Sequence, residues 1–208
     1  MTKVKICGIT NLEDALMATE LGADMLGFNF YEKSPRYIKP LAAKEIIDQL
    51  PHRVLNVGIF VGETIDQVLE IERMSGIKAL QLHGGESPRY VSDLARRTGA
   101  EIIKAFQVKQ GFSTLSILNF DPVTVLLDAY SPNEFGGTGA VFDWETAILV
   151  KPLVQKLILA GGLNDENVGE AVEIVRPYAV DVASGVESSP GKKDPNRLEA
   201  FIRNAKNG

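Results

Sequence analysis

The chain has 208 residues, 45% of them hydrophobic and 24% charged, with a formal net charge of -5. That composition suits one compact domain over residues 1–208 and argues against nucleic acid as a main partner, since no basic stretch stands out. The single cysteine excludes an internal disulfide framework, and the lack of any long apolar run argues against a membrane partner and for a soluble, cytoplasmic protein.

The first element is a short strand, Val4 to Cys7, that stops at Gly8 and turns into a helix. Thr10 and Glu13 have the spacing of a capping box, which predicts that the helix begins at Asn11, with Leu12 to Leu21 ending at Gly22. Further short apolar runs predict strands over Met25 to Phe28, Val54 to Phe60, Ala79 to Leu82, Ile102 to Phe106, Val123 to Asp128, Lys156 to Ala160 and Val180 to Ala183. Most lack strict alternation and read as buried on both faces, as parallel strands are.

Amphipathic segments lie between them. Leu41 to Leu50 runs up to Pro51, and Thr64 with Gln67 forms a capping box for a helix that stops at Gly76. Ser87-Pro88 and Asp194-Pro195 are cap-then-proline starts, with Gly99 as the stop of the first. Ser113 to Leu118 and Trp144 to Val150 are read as helices, and Asn164 opens one that Pro177 closes. Eight strand–helix units, about one per 25 residues, are what a (β/α)₈ barrel of the α/β class requires. The competing doubly wound sheet usually has fewer strands and often a glycine-rich first turn, which Cys7-Gly8-Ile9-Thr10 is not. The longest loops are Asn29 to Lys39, Ala129 to Asp143 and Gly185 to Lys193. The glycine-rich one, Ala129 to Asp143, is expected to order over a bound ligand.

In such a barrel the chemistry sits just beyond the strands. Cys7 ends the first strand, where it is either a small buried apolar residue or a reactive thiol. Asp128 ends the sixth and is placed either to cap or to donate a proton. His83 follows the fourth strand, as a ligand contact or a loop cap. Gly161-Gly162 and Ser184-Gly185 follow the seventh and eighth, where they either make tight turns or form the usual phosphate site of this fold. Arg36 offers a planar fork suited to a carboxylate, against the commoner fate of a surface arginine. One cysteine and two separated histidines make no zinc set, and no cofactor fingerprint is present.

Six motifs in order resemble the phosphoribosylanthranilate isomerase family of tryptophan biosynthesis. They are Lys5-Ile6-Cys7-Gly8-Ile9-Thr10; Gly27-Phe28 with Ser34-Pro35-Arg36-Tyr37; Gln81-Leu82-His83-Gly84; Leu127-Asp128 with Gly136-Gly137-Thr138-Gly139 and Phe142-Asp143-Trp144; Leu159-Ala160-Gly161-Gly162-Leu163; and Asp181-Val182-Ala183-Ser184-Gly185-Val186-Glu187. The resemblance runs from Lys3 to about Asp194. It implies a barrel that isomerises a phosphosugar–anthranilate conjugate, with Cys7 as general base and Asp128 as general acid. It further implies Arg36 on the anthranilate carboxylate and phosphate on the Gly161-Gly162 and Ser184-Gly185 loops. His83 is expected to contact substrate. The substrate acts as its own electron sink, so no cofactor or metal is needed. The chain is expected to work as a monomer or a homodimer. A rival barrel, the indole-glycerol-phosphate synthase type, wants a lysine acid and a glutamate at the mouth, where the first strand here offers cysteine. A binding barrel without turnover and an interaction protein are the remaining alternatives.

Overall fold

The computed structural model describes residues 1–109, 111–120, 123–129 and 144–208. Most of the loop expected at Ala129 to Asp143, with its Gly136-Gly137-Thr138-Gly139 and Phe142-Asp143 motifs, lies outside the described residues.

Eight parallel strands close into a barrel in chain order, β1 pairing with β2 on one side and β8 on the other. They are β1 (Lys3–Cys7), β2 (Met25–Asn29), β3 (Leu55–Phe60), β4 (Ala79–Leu82), β5 (Glu101–Val108), β6 (Thr124–Ala129), β7 (Leu157–Ala160) and β8 (Ala179–Val182). Each expected strand is present to within a few residues. The reason they lack alternation is visible in the packing. Met25, Val57, Ala79, Ile103, Leu126 and Ile158 fill the interior as one cluster. Val4, Ile6, Leu26, Phe28 and Leu80 belong to a second cluster, formed with the surrounding helices. Alternate residues therefore enter two different apolar environments. A fully buried side chain such as Phe28 stabilises the fold by about 1.5–3 kcal/mol.

The helices are α1 (Leu12–Glu20), α2 (Pro40–Ile47), α3 (Ile65–Ser75), α4 (Pro88–Ala95), α5 (Trp144–Val150), α6 (Val168–Val175) and α7 (Pro195–Asn207). The Thr64–Gln67 capping box, the Ser87 cap and the Asp194 cap form as expected, and α3 ends at Gly76 with φ 77°. At α1 the cap is Asn11, whose Oδ1 accepts from the Asp14 amide at 2.8 Å, and the helix starts at Leu12. Thr10 is diverted: its hydroxyl donates to the Gly191 carbonyl, 2.5 Å away.

Three other expectations are corrected. The segment after β5 is a 3₁₀ turn, Thr114–Asn119, in place of a helix. The Ser116 hydroxyl and amide both go back to the Ser113 carbonyl, which favours the tighter turn. Asn164 does not open α6 directly; its side chain accepts from the Glu166 and Asn167 amides, and the helix begins at Val168. The stretch from Gly185 to Lys193 is not an irregular loop. It holds a 3₁₀ turn, Ser184–Val186, and an antiparallel hairpin of β9 (Glu187–Ser189) and β10 (Lys192–Lys193). The hairpin is fastened to the start of α1 by the Thr10–Gly191 bond and by the Lys193 amide donating to Asp14 Oδ2 at 2.9 Å.

Candidate active site

Strand register fixes which residues share the mouth. On β1, Lys5 and Cys7 lie on the inward face, and Lys5 is level with Met25 of β2 and Asp181 of β8. Cys7 is level with Gly27. A Cβ on Gly27 would lie 2.9 Å from Cys7 Sγ, so the glycine makes room for the thiol. Cys7 is half-buried. Beneath it, Lys5 is fully buried and its Nζ donates to Asp181 Oδ2 at 2.9 Å. Burial pushes the Cys7 thiol up; the Lys5 and Lys193 ammonium groups pull it back without cancelling that rise.

A second ion-paired group comes from the hairpin. The Glu187 carboxylate takes a fork from Arg36, with Nε at 2.9 and 3.0 Å and Nη2 at 2.6 Å, and a further bond from Lys193 Nζ at 2.9 Å. Lys193 Nζ also donates to the Cys7 carbonyl at 2.6 Å. Burial would raise the Glu187 carboxyl, but Arg36 and Lys193 hold it below the ordinary glutamate range. Arg36 lies across the end of β1 because residue 8 is glycine: a Cβ there would be 2.5 Å from Arg36 Cδ. The loop that carries Arg36 is shaped by Asn29 and Ser34, whose side chains bond each other and the Tyr31 and Arg36 amides. One edge of the guanidinium is thus engaged, and Nη1 has no hydrogen-bond partner among the described residues.

Asp128 is the penultimate residue of β6, three strand positions round the wall from β1. Its Oδ2 is 3.1 Å from His83 Nε2, and His83 Nδ1 is 3.2 Å from Gln81 Nε2. In the tautomer whose Nδ1 accepts from the Gln81 amide, Nε2–H donates a hydrogen bond to the Asp128 carboxylate. Gln81 Oε1 is buried without a partner among the described residues. The loop behind His83 is held by a buried hub. Lys104 Nζ bonds the Leu82, Gly84 and Ala105 carbonyls and pairs with Glu86 at 3.0 Å.

The two glycine loops adjoin. Gly161 and Gly162 have φ of 84° and 68°, backbone that an L side chain rarely adopts. Gly185 packs directly on the Leu163 carbonyl, so a Cβ there would collide with it. Among the described residues no three His, Cys, Asp or Glu side chains group as a metal ion would need, and no helix is long and apolar enough to cross a membrane.

The residues singled out from sequence thus fall at one end of the barrel, Arg36 beside Cys7 and His83 on Asp128. Sequence reasoning missed Asp181, Glu187 and Lys193 as site residues, and gave Gln81 no role. Strand parity was the available signal for Gln81 and Asp181, since both continue the inward face of their strands.

Comparison with known proteins bears on the family and the fold. The family model for N-(5'phosphoribosyl)anthranilate (PRA) isomerase matches residues 4–204. The N-(5'-phosphoribosyl)anthranilate isomerase of Citrifermentans bemidjiense is 52% identical over 206 residues, 99% of this chain and 98% of the relative. The crystal structure of phosphoribosyl anthranilate isomerase from Thermotoga maritima superimposes with a TM-score of 0.94 at 46% identity, covering 100% of both chains. A structure of such an isomerase in complex with reduced 1-(o-carboxyphenylamino)-1-deoxyribulose 5-phosphate gives a TM-score of 0.90 at 43% identity, again over 100% of both. With a closed eight-strand barrel, a whole-length family match and relatives at this identity, the chain belongs to the phosphoribosylanthranilate isomerase family of tryptophan biosynthesis.

Proposed function

We propose that Cys7 and Asp128 carry out an Amadori rearrangement of N-(5-phosphoribosyl)anthranilate to 1-(2-carboxyphenylamino)-1-deoxyribulose 5-phosphate in a single barrel domain, 1–208. Asp128 holds a proton and gives it to the ribose ring oxygen as the bond from that oxygen to C1 breaks. The resulting iminium acidifies the C2 hydrogen, which the Cys7 thiolate removes. The enol then becomes the ketone as its O–H proton leaves and C1 takes up a proton, so the product is an isomer of the substrate. The observation that carries the reading is the placement of thiol and carboxyl at the ends of β1 and β6, three strand positions apart around one mouth. That leaves a substrate room to lie between a base and an acid.

Other residues fit the substrate's two ends. Arg36, fixed by Glu187, is read as the anthranilate carboxylate contact through its free end. The Gly161-Gly162 and Ser184-Gly185 loops are read as the phosphate cradle, their backbone N–H groups supplying the donors. His83 is read as a substrate-side contact that also orients Asp128. If the Gln81 amide turns over, its Oε1 accepts from His83 Nδ1–H and leaves Nε2 to accept from a protonated Asp128, so the same three residues serve the proton-loaded acid. The dimeric relative from Thermotoga maritima supports a homodimer over a monomer. Cytoplasm is the expected compartment of a biosynthetic isomerase.

The test is turnover of phosphoribosylanthranilate, followed as loss of anthranilate-type fluorescence. Cys7→Ser and Asp128→Asn are each expected to lower kcat by about 10²–10⁴-fold with KM little changed. A Cys7→Ser variant with near-normal kcat would contradict the assignment, leaving the cysteine as a packing residue.

A further inference from the structure

We propose that Lys5 and Asp181 are positioning residues for the reaction: a buried ion pair under Cys7 whose ammonium is the counterion of the Cys7 thiolate. The inference rests on the reading of Cys7 as the base and deepens it.

The geometry comes from the strands. Lys5 and Cys7 are two residues apart on β1, so both face inward, Lys5 one layer down. Two residues of parallel strand rise about 6.6 Å, which the four-carbon stem of a lysine spans. Lys5 Nζ bonds Asp181 Oδ2 at 2.9 Å, and its positive charge acts on the thiol one layer above it. Lys5 has no exposed surface. A lysine inside a barrel is costly without a partner, and one carboxylate satisfies only one of its three donors. Asp181 Oδ1 is left buried without a partner among the described residues, so the pair is not built for maximal mutual satisfaction. Its lysine is held charged at the one spot where a thiolate needs a cation.

The charge count agrees. The groups facing Cys7 are Lys5 on its own strand, Asp181 on β8, Glu187 on β9, Lys193 on β10 and Arg36 on the loop after β2. Three cations meet two carboxylates, so the cluster carries one surplus positive charge until the thiol ionises or an anionic substrate arrives. Asp128 and His83 face the mouth from β6 and the end of β4, across the opening. Burial opposes ionisation of Lys5, and Asp181 with Cys7 more than restores it, so the ammonium persists through the working pH range.

The two members act on the thiol with opposite signs, which makes the test sharp. The cation favours the thiolate and the carboxylate disfavours it. The chain has one cysteine, so alkylation by iodoacetamide, followed by mass as a function of pH, reports Cys7 alone. Lys5→Met should move the midpoint of alkylation to higher pH by about 1–3 units. Asp181→Asn should move it to lower pH, because the thiolate becomes the sole partner of the ammonium. The rising limb of kcat against pH should shift the same way in each variant, with KM little changed. Midpoints that stay put, or that move in the same direction in both variants, would overturn the proposal. Should Lys5→Met not fold, Asp181→Asn decides alone: a downward shift supports the ion pair's role and any other result overturns it. Failure of the base reading itself would show differently, as near-normal kcat in Cys7→Ser with the alkylation shifts intact.

Discussion

At the residue scale, the proposed site is a set of side chains held in place by other side chains. Arg36 is the clearest case. Sequence offered a planar cation beside Pro35 and Tyr37, but not that Glu187, far along the chain, would take one edge of it. That pairing turns a flexible side chain into a fixed one, and the proposed function gives its other end to a carboxylate. Arg36→Lys should therefore raise KM about tenfold or more, since an ammonium cannot hold Glu187 in a fork and a ligand at once. On a substrate analogue lacking the carboxylate, wild type and Arg36→Lys should have similar KM values. An equal loss on that analogue would show that Arg36 has a different job. Cys7 and Asp128 were legible because each ends an apolar run. The ion pairs beneath and beside them were not, because their members lie as many as 176 positions apart in sequence and only barrel closure joins them.

At the element scale, strands were easier to read than the segments between them. Runs such as Val123 to Leu127 leave few alternatives, and both faces of the strand bury them. The connection after β5 fooled the pattern because Ser113 and Ser116 offer local bonds that a 3₁₀ turn satisfies. The hairpin of β9 and β10 was hidden for another reason. Its two strands are three and two residues long, too short for any periodicity, and what fixes them is contact with Thr10 and Asp14. The loops after β7 and β8 were readable from their glycines. Gly162 has φ 68°, so Gly162→Val would strain the turn by about 1–3 kcal/mol and crowd any anion there. Steady-state kinetics on that variant should show KM rising more than kcat falls. An unchanged KM would place the phosphate elsewhere.

At the scale of the whole molecule, the closed barrel does for the chemistry what no single element could. Barrel closure brings β1 and β8 side by side, so Lys5 of the first strand meets Asp181 of the last beneath Cys7. Asp128 comes from β6, three strand positions round the wall from Cys7. The proposed mechanism asks the two groups for unlike roles at one pH, one giving a proton while the other takes one. The residual activities of the two variants then carry opposite signatures. In Asp128→Asn only the base titrates, so kcat/KM should rise with pH as Cys7 ionises, continuing beyond the ordinary cysteine range because burial pushes the thiol up. In Cys7→Ser only the acid titrates, so kcat/KM should fall as pH rises. The decisive measurement is the pH dependence of kcat/KM for both folded variants beside the bell of the wild type. Slopes of opposite sign are the predicted result; the same slope in both, or a wild-type bell retained in either, would contradict the assignment of Cys7 as base and Asp128 as acid.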